Sequence, residues 1–237
     1  MTADPRPADA IGGRLALLQL ASPALPIGGY TYSTGLEWGI ESGRVHDEAS
    51  ALQWVEDVLS LTLAGFDGPL MLAALRALRS GDPDAPGRLA ALNRLALASR
   101  ETAELRLESE QMGHSLGRWL AAVLPDPAGD ALLASQLSPL SLPVGWAVAC
   151  ARLDVAEGDA LLGLFWSFVE NQAMVLMKAV PMGQVAAQRL LRRLGPAIGD
   201  AVERAQRREP GAWTSAAPGL AIASARHERQ YSRLFRS

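Results

Sequence analysis

With 237 residues, 49% of them hydrophobic and 20% charged, the chain can enclose a substantial core, and its composition excludes a disordered, collagenous or disulfide-stapled class. Its single cysteine rules out an intramolecular disulfide, a CxxC redox pair and a cysteine-rich zinc site. Net charge is −3, yet from Gln188 onward ten arginines face four acidic residues, leaving −9 on the preceding part.

Residues 1–12 read as a flexible start without the basic-then-apolar order of a secretory signal. The uninterrupted apolar runs are well short of the ~18 residues of a membrane helix, so a cytoplasmic protein is expected. Residues 14–21 form a short apolar helix stopped by Ser22-Pro23. The segment from Ser22 to Thr34 holds Pro23, Pro26, Gly28 and Gly29 and reads as a loop, followed by a short helix near Gly35–Glu41. Asp47 is placed to cap a helix over 48–63, with Leu52, Val55, Leu59 and Leu63 on one stripe. Asp67-Gly-Pro69 predicts the cap and first turn of a separate helix ending near Arg79.

Helices then follow over 88–98 and 101–124, the second with Glu101, Glu104, Arg106, Glu108 and Glu110 on a face assigned to solvent. Further helices are expected over 131–137, 143–153, 157–179, 183–194 and 196–208. The one from Glu157 is apolar nearly all round and is expected at the buried centre. Neither alternating strands nor internal repeats are visible. The fold class is therefore all-α: one bundle-like domain of roughly ten helices over 13–208. A C-terminal tail, 209–237, is expected to dock on a partner or on the chain itself.

The chemistry-bearing motifs are missing. No glycine-rich loop cradles phosphate, and His46, His114 and His227 lie apart without metal-ligand spacing, so no enzyme activity, cofactor or metal is expected. Cys150 lies in an apolar helix and reads as inert packing. Two features do suggest binding. Tyr30 and Tyr32 stand on the proline- and glycine-rich loop, where they either anchor a partner or seal the core. In the tail, Tyr231, Leu234 and Phe235 alternate with Arg229, Arg233 and Arg236, as in a segment that fills a groove. The basic end also admits an alternative, a nucleic-acid-binding tail, although no recognition motif accompanies it.

Four blocks taken together resemble the urease accessory protein UreF family. They are Leu18-Gln-Leu-Ala-Ser-Pro-Ala-Leu-Pro-Ile-Gly-Gly-Tyr-Thr-Tyr-Ser-Thr-Gly-Leu-Glu37; Arg100-Glu-Thr-Ala-Glu-Leu-Arg with Glu110-Gln-Met-Gly113; Glu170-Asn-Gln172 with Lys178-Ala-Val-Pro-Met-Gly-Gln184; and His227-Glu-Arg-Gln-Tyr-Ser-Arg-Leu-Phe-Arg-Ser237. Met182 and Gly29 are small departures. The resemblance implies an all-helical, non-enzymatic nickel-insertion chaperone. Such a protein forms a homodimer, binds UreD (also called UreH), and recruits the GTPase UreG to apo-urease, whose dinuclear nickel centre is then assembled. It further implies that Tyr30, Arg233 and Arg236 organise the GTPase-recruiting surface, and that Glu37 and Lys178 bear on the GTPase step. Tyr32, Ser33, Gln184, Tyr231 and Phe235 complete the expected partner-binding set.

Overall fold

The longest helix is one that the sequence divides in two. In the computed structural model, which describes residues 7–180 and 182–237, Glu48–Arg79 (α3) is continuous over 32 residues. Its middle, Leu59–Asp67, widens to π geometry between the α-helical arms Glu48–Val58 and Gly68–Arg79. Pro69 has no N–H to give the carbonyl of Gly65, and in an ordinary turn its ring would collide with that oxygen. The wider turn relieves this conflict. Gly65 O accepts instead from the Thr214 N–H at 3.1 Å and from Arg208 Nη1 at 3.4 Å. Asp67, expected as a cap, has helical backbone angles and makes no capping bond. Its carboxylate takes both arms of the Arg100 guanidinium at 2.7 and 3.1 Å. Asp47 does cap, accepting from Ser50 N at 2.8 Å within a reciprocal box.

Pro196 also lies inside a single helix, Gln184–Arg207, where two were expected. Pro196 and Arg192, whose carbonyl loses its partner, are both exposed, so water can serve that acceptor. In chain order the helices are α1 Pro7–Leu20, α2 Leu36–Glu41, α3, α4 Ala85–Ala98, α5 Ala103–Val123, α6 Pro127–Gln136, α7 Leu142–Arg152, α8 Glu157–Ala179, α9 Gln184–Arg207 and α10 Pro218–His227. The all-α expectation holds: ten helices and no strand among the described residues. Of the expected flexible start 1–12, residues 1–6 lie outside the described residues and 7–12 belong to α1.

Helices α8 and α9 pack along one another, while α7 packs against both the second arm of α3 and α5. Trp146, Phe165, Leu70, Leu75, Leu116 and Leu120 lie at the centre, with Trp146 Nε1 donating to Ala160 O at 3.0 Å. Helix α3 is more deeply buried than α8, which was expected at the centre. Both are long and apolar enough to cross a membrane, yet 78% and 56% of their apolar windows are buried in the fold. Most of that apolar surface therefore faces this protein's own core.

The core does not end near Arg208. Leu220 and Ala223 of α10 and Phe235 beyond it are buried. Gly35 makes the contact with α10 possible. It sits at φ +75°, and a Cβ there would stand 3.1 Å from Leu220 Cδ1.

Candidate docking site

The first turn of α2 presents Glu37, and its carboxylate organises the C-terminal segment. Glu37 Oε1 accepts from the Leu234 N–H at 2.7 Å, and Oε2 from the Phe235 N–H at 3.0 Å. Oε2 also faces His227 Nε2 at 3.0 Å, while His227 Nδ1 faces Glu104 Oε2 at 2.8 Å. A carboxylate can only accept, so both contacts are hydrogen bonds when the imidazole carries two protons. Glu104 Oε1 takes Arg233 Nη1 at 2.8 Å, so two carboxylates alternate with an imidazole and a guanidinium. The His227 side chain is fully buried. Each ring nitrogen already faces a carboxylate, and among the described residues no three His, Cys, Asp or Glu side chains converge on a metal position.

Beyond this cluster the tail runs beside the tyrosine loop. The Arg236 N–H donates to Thr31 O and the Ser33 N–H to Ser237 O, both at 2.8 Å. The Ser33 hydroxyl donates to the same Ser237 oxygen. Ser237 Oγ and Thr34 Oγ1 donate to the two oxygens of Glu108 at 2.6 and 3.0 Å. Burial pushes the Glu108 carboxyl above the usual range, and the two hydroxyl donors and Arg100 offset only part of that. Thr34 is β-branched yet has φ +52°, a strained geometry held in place by these bonds. Tyr32 donates its hydroxyl to Gln111 Oε1, which Arg236 Nη1 also reaches at 3.3 Å. Burial raises the Tyr32 phenol as well. Asn171 of α8 holds the Tyr32 carbonyl at 2.9 Å.

The residues singled out in the sequence thus occupy different levels. Tyr32, Ser33, Glu37 and Phe235 are buried beneath the surface, so none of them is free to touch a partner directly. Tyr30, Tyr231 and Leu234 are exposed, as are Lys178 and Arg236, while Arg233 is half engaged by Glu104. Gln184 is exposed at the start of α9, and among the described residues no side-chain hydrogen bond ties it to the tail. The two tyrosines divide the roles foreseen for them: Tyr32 seals the core and Tyr30 faces solvent. Between tail and α5 lies a groove of about 370 Å³ lined by Leu107, Gln111, Arg233 and Arg236 above Tyr32 and Phe235.

Sequence reasoning missed His227, Glu104, Glu108 and Asn171. Glu104 and Glu108 were assigned to solvent, whereas the tail covers them. Their signal was the i, i+4, i+7 spacing of Glu104, Glu108 and Gln111, which lines up acceptors on one helix face opposite a basic tail. Behind the loop lies a chamber of about 150 Å³ bordered by Tyr30, Met112, Arg100, Ser167 and Asn171. Arg100 Nε, Ser167 Oγ and Asn171 Oδ1 find no protein partner there, which suits a space filled by water.

Comparison with known proteins finds relatives that align over nearly the whole chain. The family model described as UreF matches residues 45–195. The chain is 50% identical over 234 residues to the urease accessory protein UreF of Azoarcus sp. (strain BH72), covering 98% of each chain. Against the same-named protein of Ectopseudomonas mendocina (strain ymp) identity is 52% over 224 residues, 94% of this chain and 98% of the relative. For Azotobacter vinelandii (strain DJ / ATCC BAA-1303) it is 51% over 229 residues, 96% of this chain and all of the relative.

Proposed function

The chain belongs to the UreF family of urease accessory proteins, and from that premise we propose that it acts through its surfaces rather than by catalysis. In this reading it binds UreD/UreH in the cytoplasm and, with it, brings the GTPase UreG to apo-urease for assembly of the dinuclear nickel centre. Nickel is cargo, GTP is hydrolysed by UreG, and the chain itself works as a homodimer. The GTPase meets the surface formed by the tyrosine loop and the docked tail.

One observation carries this reading. Exposed Leu234 and Arg236 stand on a tail backbone held by Glu37, Thr31 and Ser33, beside exposed Tyr30 and Lys178. Large side chains on a pre-ordered backbone lose little further entropy on binding, which favours an interface. The basic end gives less support to a nucleic-acid reading, since Arg233, Arg193 and Arg207 are each engaged by a carboxylate.

The test is co-elution of the chain with UreD and UreG, followed by urease activation with nickel and GTP. Arg236→Ala and a chain lacking residues 231–237 should both fail to hold UreG. Normal complex formation and full activation by both variants would remove the tail from the mechanism.

A further inference from the structure

Lys178 is the only lysine in the chain. It stands exposed in the last turn of α8, and among the described residues no carboxylate forms an ion pair with it. Its ammonium lies instead over two aromatic rings, 5.8 Å from the centroid of Tyr30 and 5.5 Å from that of Phe235. Both distances are within the ~6 Å over which a ring face attracts a cation. The rings come from opposite ends of the sequence. Tyr30 belongs to the short 3₁₀ turn Gly29–Thr31, and Phe235 to the tail. Phe235 is 6% exposed, and its N–H is held by Glu37, so its ring keeps this place while the tail is docked.

We propose that Tyr30 and Phe235 are positioning residues for Lys178, forming an aromatic clamp that closes when the tail docks. An unclamped lysine at a helix end samples many rotamers and loses that freedom on binding. A clamped ammonium is already in place, so a carboxylate on a partner meets a pre-organised charge. Tail docking and presentation of the positive charge are then one event, because releasing Phe235 removes one of the two rings. This also gives buried Phe235 a part in the surface without direct contact. The consequence for partner binding rests on the docking reading above; the clamp does not.

The single lysine makes the test clean. Protein grown with [ε-¹³C]lysine gives one lysine signal, and ring currents should move its Hε protons upfield of an exposed lysine. Tyr30→Leu, at an exposed position, should shift the signal part of the way back, and Tyr30→Phe should restore it. Phe235→Leu keeps an apolar side chain in the buried place and should shift it further. Amide exchange at Leu234 reports separately whether the tail stays docked. If the tail undocks in Phe235→Leu, the lysine signal must revert as well.

A lysine signal unchanged in Tyr30→Leu, or unchanged in Phe235→Leu with the tail still protected, overturns the clamp. For the UreD-bound chain, Tyr30→Leu should weaken UreG binding ~3-fold, with Tyr30→Phe restoring it. Equal UreG affinity in Tyr30→Leu despite a shifted lysine signal refutes the pre-organisation step. If the unaltered chain holds no UreG while its lysine signal is ring-shifted, the docking reading fails and the clamp stands.

Discussion

The carboxylate of Glu37 and the imidazole of His227 meet at 3.0 Å although 190 positions separate them in the chain. This contact joins the start of the second helix to the end of the last one, and the tail takes its course from it. Leu234 and Phe235 are held by the same carboxylate, and Arg233 by the Glu104 that faces the other ring nitrogen. In this structure the tail is therefore a built part of the fold.

His227→Gln should release the tail. Glutamine cannot place a nitrogen against each of the two carboxylates as the imidazole ring does, and a buried polar group left without its partner costs ~1–3 kcal/mol. The expected result is a lower urea midpoint together with loss of amide protection at Leu234 and Phe235. Unchanged protection of those two amides would show that the backbone holds the tail without the imidazole.

Gly65→Ala should destabilise the chain by ~1–3 kcal/mol. A Cβ at Gly65 would stand 2.5 Å from the carbonyl oxygen of Thr214, which is backbone and cannot swing away. Gly199→Ala is the control: it lies in α9 with nothing within 4 Å, and should stabilise by up to ~1 kcal/mol through helix propensity. Equal midpoints for the two variants would mean that the connector at Thr214 is loosely held.

Glu108 makes the protein's stability depend on pH with a definite sign. Its folded carboxyl is raised above the ordinary 4.5. The native state therefore binds more protons than the unfolded chain just above that value, and stability falls as pH rises through the window. Glu108→Gln should remove this slope, which chemical denaturation at several pH values between about 4.5 and 7 would read. Parallel curves for both proteins would contradict it.

Cys150 should be unreactive while the protein is folded. It is buried in α7, and burial pushes its thiol up to about 12, so the nucleophilic thiolate is scarce at pH 8. Titration with a disulfide reagent should give no label in buffer and one in denaturant. Rapid labelling of the folded chain would place the thiol at an opening of the core.

How much of this was legible in advance depends on how far each contact reaches. Apolar spacing, the Asp47 cap and the absence of strand patterning are local, and they sufficed for an all-α chain with most helices where they stand. Pro69 and Pro196 misled because a proline usually ends a helix. Whether the displaced carbonyl finds another partner is a tertiary matter, answered by Thr214 for Gly65 and by solvent for Arg192.

The motifs singled out Tyr30, Glu37, Lys178 and the tail, but their rank order along the surface was invisible. Nothing in the sequence says that Phe235 turns inward while Leu234 next to it stays exposed. The solvated face assigned to α5 is the clearest case. The period of Glu104 and Glu108 is that of any surface helix, and only the folded path of the tail covers them. The sequence by itself determined where the helical segments lie, because each rests on neighbours within a turn or two, but not that they run on through Pro69 and Pro196. The tertiary structure decided the docking surface, because its bonds close between residues more than a hundred positions apart.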